Sequence, residues 1–207
     1  MTNYKIYGDP QSGNCYKIQL LLGFLHTDYQ WASIDILAGE TETDDFKAKN
    51  PNAKIPVLQI GEMQYLWESN AILHYLAEGS PFLPTDQYAH AQVLQWQFFE
   101  QYSHEPYIAT ARFIQLYLGL PEERQAEYQG KQAGGYKALD VMEQQLAQSR
   151  YFIGEQPTIA DISLYAYTHV ADEGGFDLTP YTQIQRWFAD IEALPGYVPM
   201  GKSSLTE

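Results

Sequence analysis

The sequence predicts a chain in two parts, an α/β half over residues 1–79 and an all-helical half over residues 86–207. Three observations predict this division. Short β-like segments recur up to residue 67 and then stop. Gly79-Ser80-Pro81 and Pro84 punctuate the chain just beyond them. The rest shows apolar residues at helical spacing and no convincing strand. A length of 207 residues with 45% hydrophobic content suffices for one large core or two small ones.

In the first half, Lys5-Ile6-Tyr7 reads as a strand ended by the Gly8-Asp9-Pro10 turn. Cys15, Ile18, Leu21, Leu22 and Leu25 then mark one stripe of a helix. A second strand is expected at 29–34, with a loop and a short helix in the polar stretch 39–49. Segments 56–60 and 64–67 flank Gly61-Glu62-Met63 as a hairpin, and helix 68–78 closes the half. The resulting order, β-α-β-α-β-β-α, is that of the thioredoxin fold.

The second half reads as two long helices, 86–118 and 121–149, divided by Gly119-Leu120-Pro121. Pro106 lies inside the first and is expected to kink it, since proline removes a backbone hydrogen bond. Shorter helices are expected at 158–171 and 181–193. Thr158-Ile159-Ala160-Asp161 has the spacing of a capping box, in which the hydroxyl takes an N–H of the first turn and the acid reaches back.

The net charge of −14 argues against nucleic acid or an anionic membrane surface as partner. Residues 1–80 carry 5 Lys and no Arg against 10 acids, and residues 81–207 carry 7 basic residues against 16 acids. An anionic ligand must therefore be drawn by local groups rather than by the global field. A single cysteine excludes an internal disulfide framework and fits a reducing compartment. With neither a signal-peptide run nor a membrane-length apolar segment, the expected location is the cytoplasm. The five histidines show no metal-ligand spacing, so no metal is expected.

Two segments carry the chemistry. Ile55-Pro56-Val57-Leu58 enters a strand through a proline, which cannot donate to the ladder. A cis Ile55–Pro56 bond would turn the preceding backbone outward, where it can pair with a ligand's main chain. Glu68-Ser69 falls at a helix start, where a hydroxyl and backbone N–H groups suit a carboxylate. Together they describe a grip on a small anionic peptide.

That arrangement resembles the glutathione site of the cytosolic glutathione transferases. Ser12-Gly13-Asn14-Cys15 is similar to the serine-bearing loop of the theta-like and related bacterial classes, and Ile153-Gly154 with Thr158–Asp161 resembles the family's helical-domain capping segment. The resemblance runs in family order over nearly the whole chain. It implies a thioredoxin-like glutathione-binding domain, an all-α domain contributing a hydrophobic substrate site, and a homodimer. The implied reaction adds the glutathione thiolate to a small hydrophobic electrophile, with glutathione as cosubstrate. In that scheme Ser12 stabilises the thiolate, Lys54 and Ile55 hold the glycyl end and backbone, Glu68 pairs with the α-amino group and Ser69 receives the γ-glutamyl carboxylate. Position 53 is alanine where the insect delta relatives have a histidine ligand, so that contact is absent or replaced.

Each residue also has a plainer reading. Ser12 suits a helix N-cap, Glu68 an acid near a helix start and Lys54 a solvated lysine. Tyr7 rivals Ser12, because other classes use a tyrosine from the first strand. Cys15 is either a nucleophile, as in cysteine-using classes, or a small buried hydrophobe. Tyr102, Tyr107, Phe113 and Tyr117 line a substrate cleft or pack. Two alternatives share the fold: a glutathione-dependent disulfide reductase or peroxidase, and a non-catalytic interaction module.

Overall fold

The computed structural model describes residues 4–201; positions 1–3 and 202–207, assigned from sequence to the two halves, lie outside the described residues. One compact unit holds the chain up to Ser80 together with the segment from Leu194, and the other holds Pro81–Ala193.

The first unit carries strands β1 (Tyr4–Gly8), β2 (Gln30–Ser33), β3 (Val57–Ile60) and β4 (Gln64–Trp67), and helices α1 (Gly13–Phe24), α2 (Asp44–Lys47) and α3 (Ser69–Ala77). The sheet order is β2-β1-β3-β4, with β1 parallel to β2 and antiparallel to β3, and β3 antiparallel to β4. This is the thioredoxin-like arrangement that the element order predicts.

Cys15 to Leu22 are all buried, so α1 is enclosed around its circumference rather than along one stripe. Each of Ile18, Leu20, Leu21 and Leu22 contributes about 1.5–3 kcal/mol by leaving water. Ile6, Val57, Leu58, Ile72 and Leu73 complete this core.

The segment from Leu194 joins this unit, although the sequence reading placed all of 86–207 in the helical half. Its contact depends on two glycines. A Cβ on Gly23 would lie 2.5 Å from the Gly196 carbonyl oxygen, and one on Gly196 would collide with that of Gly23. Beside this close approach the Tyr16 hydroxyl donates to the Val198 carbonyl at 2.8 Å.

The second unit is helical: α4 (Gln87–Phe99), α5 (Glu105–Arg112), α6 (Gln125–Leu146), α7 (Ile159–Thr168) and α8 (Thr182–Glu192). Pro106 does not break the α4–α5 run. The backbone widens into a π-helical turn over Glu100–His104, where the Glu105 N–H reaches the Glu100 carbonyl, and continues. A widened turn absorbs the missing proline donor without ending the helix. His104 in that turn is fully buried and lies 2.9 Å from the Thr168 hydroxyl through Nε2. Thr168 spends its proton on the Leu164 carbonyl at 2.6 Å, so Nε2 is the donor to it.

Every residue of α7 is buried. The capping box is present: Thr158 Oγ1 accepts from the Ala160 N–H at 3.2 Å, and Asp161 Oδ2 accepts from the Thr158 N–H at 2.8 Å. Asp161 also accepts from the Phe152 N–H at 3.0 Å, Trp187 Nε1 at 3.1 Å and the Thr158 hydroxyl at 3.1 Å. Burial pushes this carboxyl up to about 6, against the pull of those donors.

Candidate glutathione site

Sheet register brings the sequence motifs together. Tyr7 of β1 stands opposite Val57 of β3, and Val57 stands opposite Trp67 of β4. The chain leaving β1 toward Ser12, the chain entering β3 through Ile55–Pro56 and the chain leaving β4 into Glu68–Ser69 therefore meet at one end of the sheet.

Ser12 is the N-cap of α1, with φ −76° and ψ 123°. The turn before it is held by Asp9, whose carbonyl accepts from the Ser12 N–H at 3.0 Å and whose carboxylate accepts from the Gln11 N–H at 2.8 Å. Ser12 Oγ accepts from the Cys15 N–H at 3.5 Å, a long bond that uses a lone pair and leaves the hydroxyl proton to donate. Capping and donation to a ligand are thus compatible.

Cys15 is fully buried, and desolvation pushes its thiol up to about 12. Its sulfur packs so tightly on β1 that a Cβ on Gly8 would lie 2.6 Å from it. These features describe a small core residue and not a thiolate nucleophile. The Tyr7 hydroxyl donates to Gln59 Oε1 at 2.8 Å, and Lys5 and Lys49 lie 5.1 and 5.6 Å from its ring centroid. Its proton and its ring are already engaged.

The Ile55–Pro56 peptide is cis, and the β3 ladder begins only at Val57. The loop ahead of it is organised by Asn50, which is 2% exposed. Asn50 Nδ2 donates to the Lys54 carbonyl at 2.7 Å and Oδ1 accepts from the Asn52 N–H at 2.9 Å, while Ala53 takes a left-handed φ of 53°. The Lys54 side chain is exposed. Asn50 is a supporting residue that the motif reading missed; Asn-Pro-Asn carries its signal as an Asx turn.

Glu68 is the N-cap of α3 and is exposed, with φ 68° and ψ 110°, and its side chain makes no capping bond. A non-glycine residue at such a φ costs about 1–3 kcal/mol and needs surroundings that enforce it. Ser69, the first helical residue, is 6% exposed. Its hydroxyl donates to Asn14 Oδ1 at 2.9 Å, which ties the start of α3 to the loop carrying Ser12. Lys17 Nζ donates to the same Asn14 Oδ1 at 2.8 Å and lies 3.4 Å from Ser69 Oγ. Neither Asn14 nor Lys17 was singled out in the sequence. The signal available was a lysine inside an otherwise enclosed helix.

The hollows divide the four aromatics. Tyr102 and Tyr107 line a hollow of about 150 Å³ with Phe99, Lys137 and Val141. Phe113 lines another of about 240 Å³ with Gln101, Glu105, Pro106 and Thr110, and Tyr117 stacks on Phe113 at 5.1 Å. Among the described residues no helix is long and apolar enough to cross a membrane. No group of three or more His, Cys, Asp or Glu able to hold a metal occurs among them either.

Two family models match the chain in order: glutathione S-transferase, N-terminal domain, at residues 2–78, and glutathione S-transferase, C-terminal domain, at residues 95–195. The structure is similar to the crystal structure of glutathione S-transferase from Pseudomonas fluorescens Pf-5, with 62% identity and a TM-score of 0.95, covering 96% of this chain and 99% of that one. Glutathione S-transferase 3 of Zea mays is 29% identical over 209 residues, 95% of this chain and 92% of that protein. Protein URE2 of Kluyveromyces lactis is 26% identical over 238 residues; the match takes in 96% of this chain but spans only 61% of that relative's length. With both domain models matched in order and a 62% identical structure aligned over almost its full length, the chain belongs to the glutathione S-transferase family.

Proposed function

We propose that this chain is a serine-type, theta-like bacterial glutathione transferase that adds the glutathione thiolate to hydrophobic electrophiles. The observation that carries the proposal is the meeting of Ser12, Ile55 and the Glu68–Ser69 helix start at one end of the sheet. Ile55 offers backbone outside the ladder to the cysteinyl main chain, and Lys54 supplies a cation for the glycyl carboxylate. Ser69 and the first turn of α3 receive the γ-glutamyl carboxylate, while Glu68 faces the α-amino group.

Ser12 acts on the sulfur. A free thiol with a pKa of about 8.5 is only about 3% ionised at neutral pH. An oriented hydroxyl and a helix start lower that value by about one to two units, and the thiol proton leaves to water. The thiolate then forms a carbon–sulfur bond. In a substitution the leaving group departs with its bonding pair; in an addition the electrophile takes up a proton from solvent. The helical unit, Pro81–Ala193, contributes the electrophile's site. The working form is a homodimer in the cytoplasm, with no metal.

The test is retention of the purified protein on immobilised glutathione, followed by turnover assays with aryl halides, epoxides, alkenals and hydroperoxides. Retention and conjugation of at least one electrophile are expected. Retention with only hydroperoxide or disulfide reduction would reassign the reaction, retention without turnover would leave an interaction module, and no retention would overturn the proposal.

A further inference from the structure

We propose that Lys17 is a positioning residue for the carboxylate site at the start of α3, freeing the Ser69 proton for the ligand while keeping its present acceptor satisfied. The inference rests on the reading of that helix start as the γ-glutamyl site.

Lys17 is fully buried, in a helix whose Cys15–Leu22 stretch is buried throughout. Lysine is seldom enclosed in this way, because its ammonium must give up water. A methionine would fill a similar volume without that cost, so the cation needs a reason. Its surroundings supply one. Lys17 Nζ, Asn14 Oδ1 and Ser69 Oγ form a triangle with edges of 2.8, 2.9 and 3.4 Å.

The direction of each bond follows from the chemistry. Asn14 Oδ1 can only accept, and an ammonium can only donate. Ser69 therefore spends its one proton on Asn14 Oδ1, and Ser69 Oγ accepts from Lys17. A ligand carboxylate is also only an acceptor, so Ser69 can serve it only by turning that proton away from Asn14. Lys17 makes the turn inexpensive. Asn14 Oδ1 keeps its 2.8 Å bond from Nζ, and Ser69 Oγ keeps a donor at its lone pair, so neither acceptor is left bare. The ammonium also places a positive charge beneath the site in a chain with net charge −14, where attraction for an anion has to be local.

The test is calorimetric titration of wild type, Lys17→Met, Lys17→Gln and Lys17→Arg with two ligands. One is glutathione; the other is glutathione with its γ-glutamyl α-carboxylate converted to the carboxamide. Thermal melts identify the folded variants, and Lys17→Gln carries the comparison if Lys17→Met does not fold. Loss of the cation should weaken glutathione about ten- to a hundred-fold but the carboxamide less than about threefold, with Lys17→Arg recovering much of the discrimination. Equal weakening of both ligands would make Lys17 merely structural and overturn the inference. Unchanged glutathione affinity in a folded, neutral variant would overturn it too. A wild-type protein that binds no glutathione would overturn the functional reading itself, and this inference with it.

Discussion

The starts of α7 and α3 present the same physical problem, a row of helix N–H groups without intrahelical acceptors, and resolve it in opposite ways. At α7 the solution is internal. Asp161 is fully buried and accepts from Thr158 twice, from Phe152 and from Trp187, closing the box and joining three segments of the helical unit. At α3 the N-cap Glu68 is exposed, holds a φ of 68° and makes no side-chain capping bond. Ser69 turns sideways to Asn14 instead of capping the turn. A saturated helix start stabilises the fold; one that lacks a side-chain cap and carries a strained residue is suited to an external anion.

The largest effect should come from breaking the saturated start. Asp161→Ala removes the acceptor of several buried donors and should lower stability by about 3–5 kcal/mol in equilibrium denaturation, well beyond the roughly 1 kcal/mol of an exposed cap. A loss near 1 kcal/mol would make the two helix starts energetically alike. The same carboxyl gives a pH signature. Its folded value, about 6, lies above its ordinary 3.8, so the folded state holds the extra proton between those values. The associated stabilisation is fully present below about 3.8 and is lost as pH rises through about 6. The stability of wild type relative to Asp161→Asn should therefore rise as pH falls from 7 to 4, and denaturation of both proteins across that range would check it.

At the other helix start the effects should fall on the ligand. Ser69→Ala and Glu68→Ala should each weaken glutathione by about 1–3 kcal/mol in calorimetry, because a charged ligand group loses its partner. Glu68→Gly sharpens the contrast. Glycine accepts positive φ freely, so this variant should melt at or slightly above the wild-type temperature, within about 1 kcal/mol, while binding glutathione more weakly. A smaller effect is expected at Cys15. Cys15→Ala should retain turnover with a modest loss of stability, and a thiol reagent should label the native protein slowly. A mixed disulfide between Cys15 and glutathione during turnover would contradict the buried assignment.

What was legible in the sequence was mostly local or periodic. The capping box needs only three-residue spacing, and the hairpin at 57–67 only its turn residues and flanking β-like runs. That the segments carrying Ser12, Ile55 and Glu68 leave or enter the sheet at one end follows from sheet register, which links positions far apart in the chain. Three features were not legible. The triangle of Asn14, Lys17 and Ser69 joins positions more than fifty residues apart, and the polarity of Lys17 reads as surface until its helix is seen to be enclosed. The docking of the segment from Leu194 depends on two glycine backbones in contact, which apolar periodicity does not report. The π-helical turn by which the helix accommodates Pro106, where His104 meets Thr168, is not specified by the proline alone.

On the proposed function, the first unit binds glutathione and Ser12 holds its sulfur as an anion. Ultraviolet difference absorbance of the bound thiolate, followed against pH in wild type and Ser12→Ala, tests it most directly. A thiolate band at neutral pH is expected in wild type, displaced by about one to two pH units toward the free-thiol value in Ser12→Ala, with glutathione still bound and conjugation slowed about a hundred-fold. An identical band and titration in the two proteins would contradict it and move the role to the backbone at the start of α1 or to Tyr7.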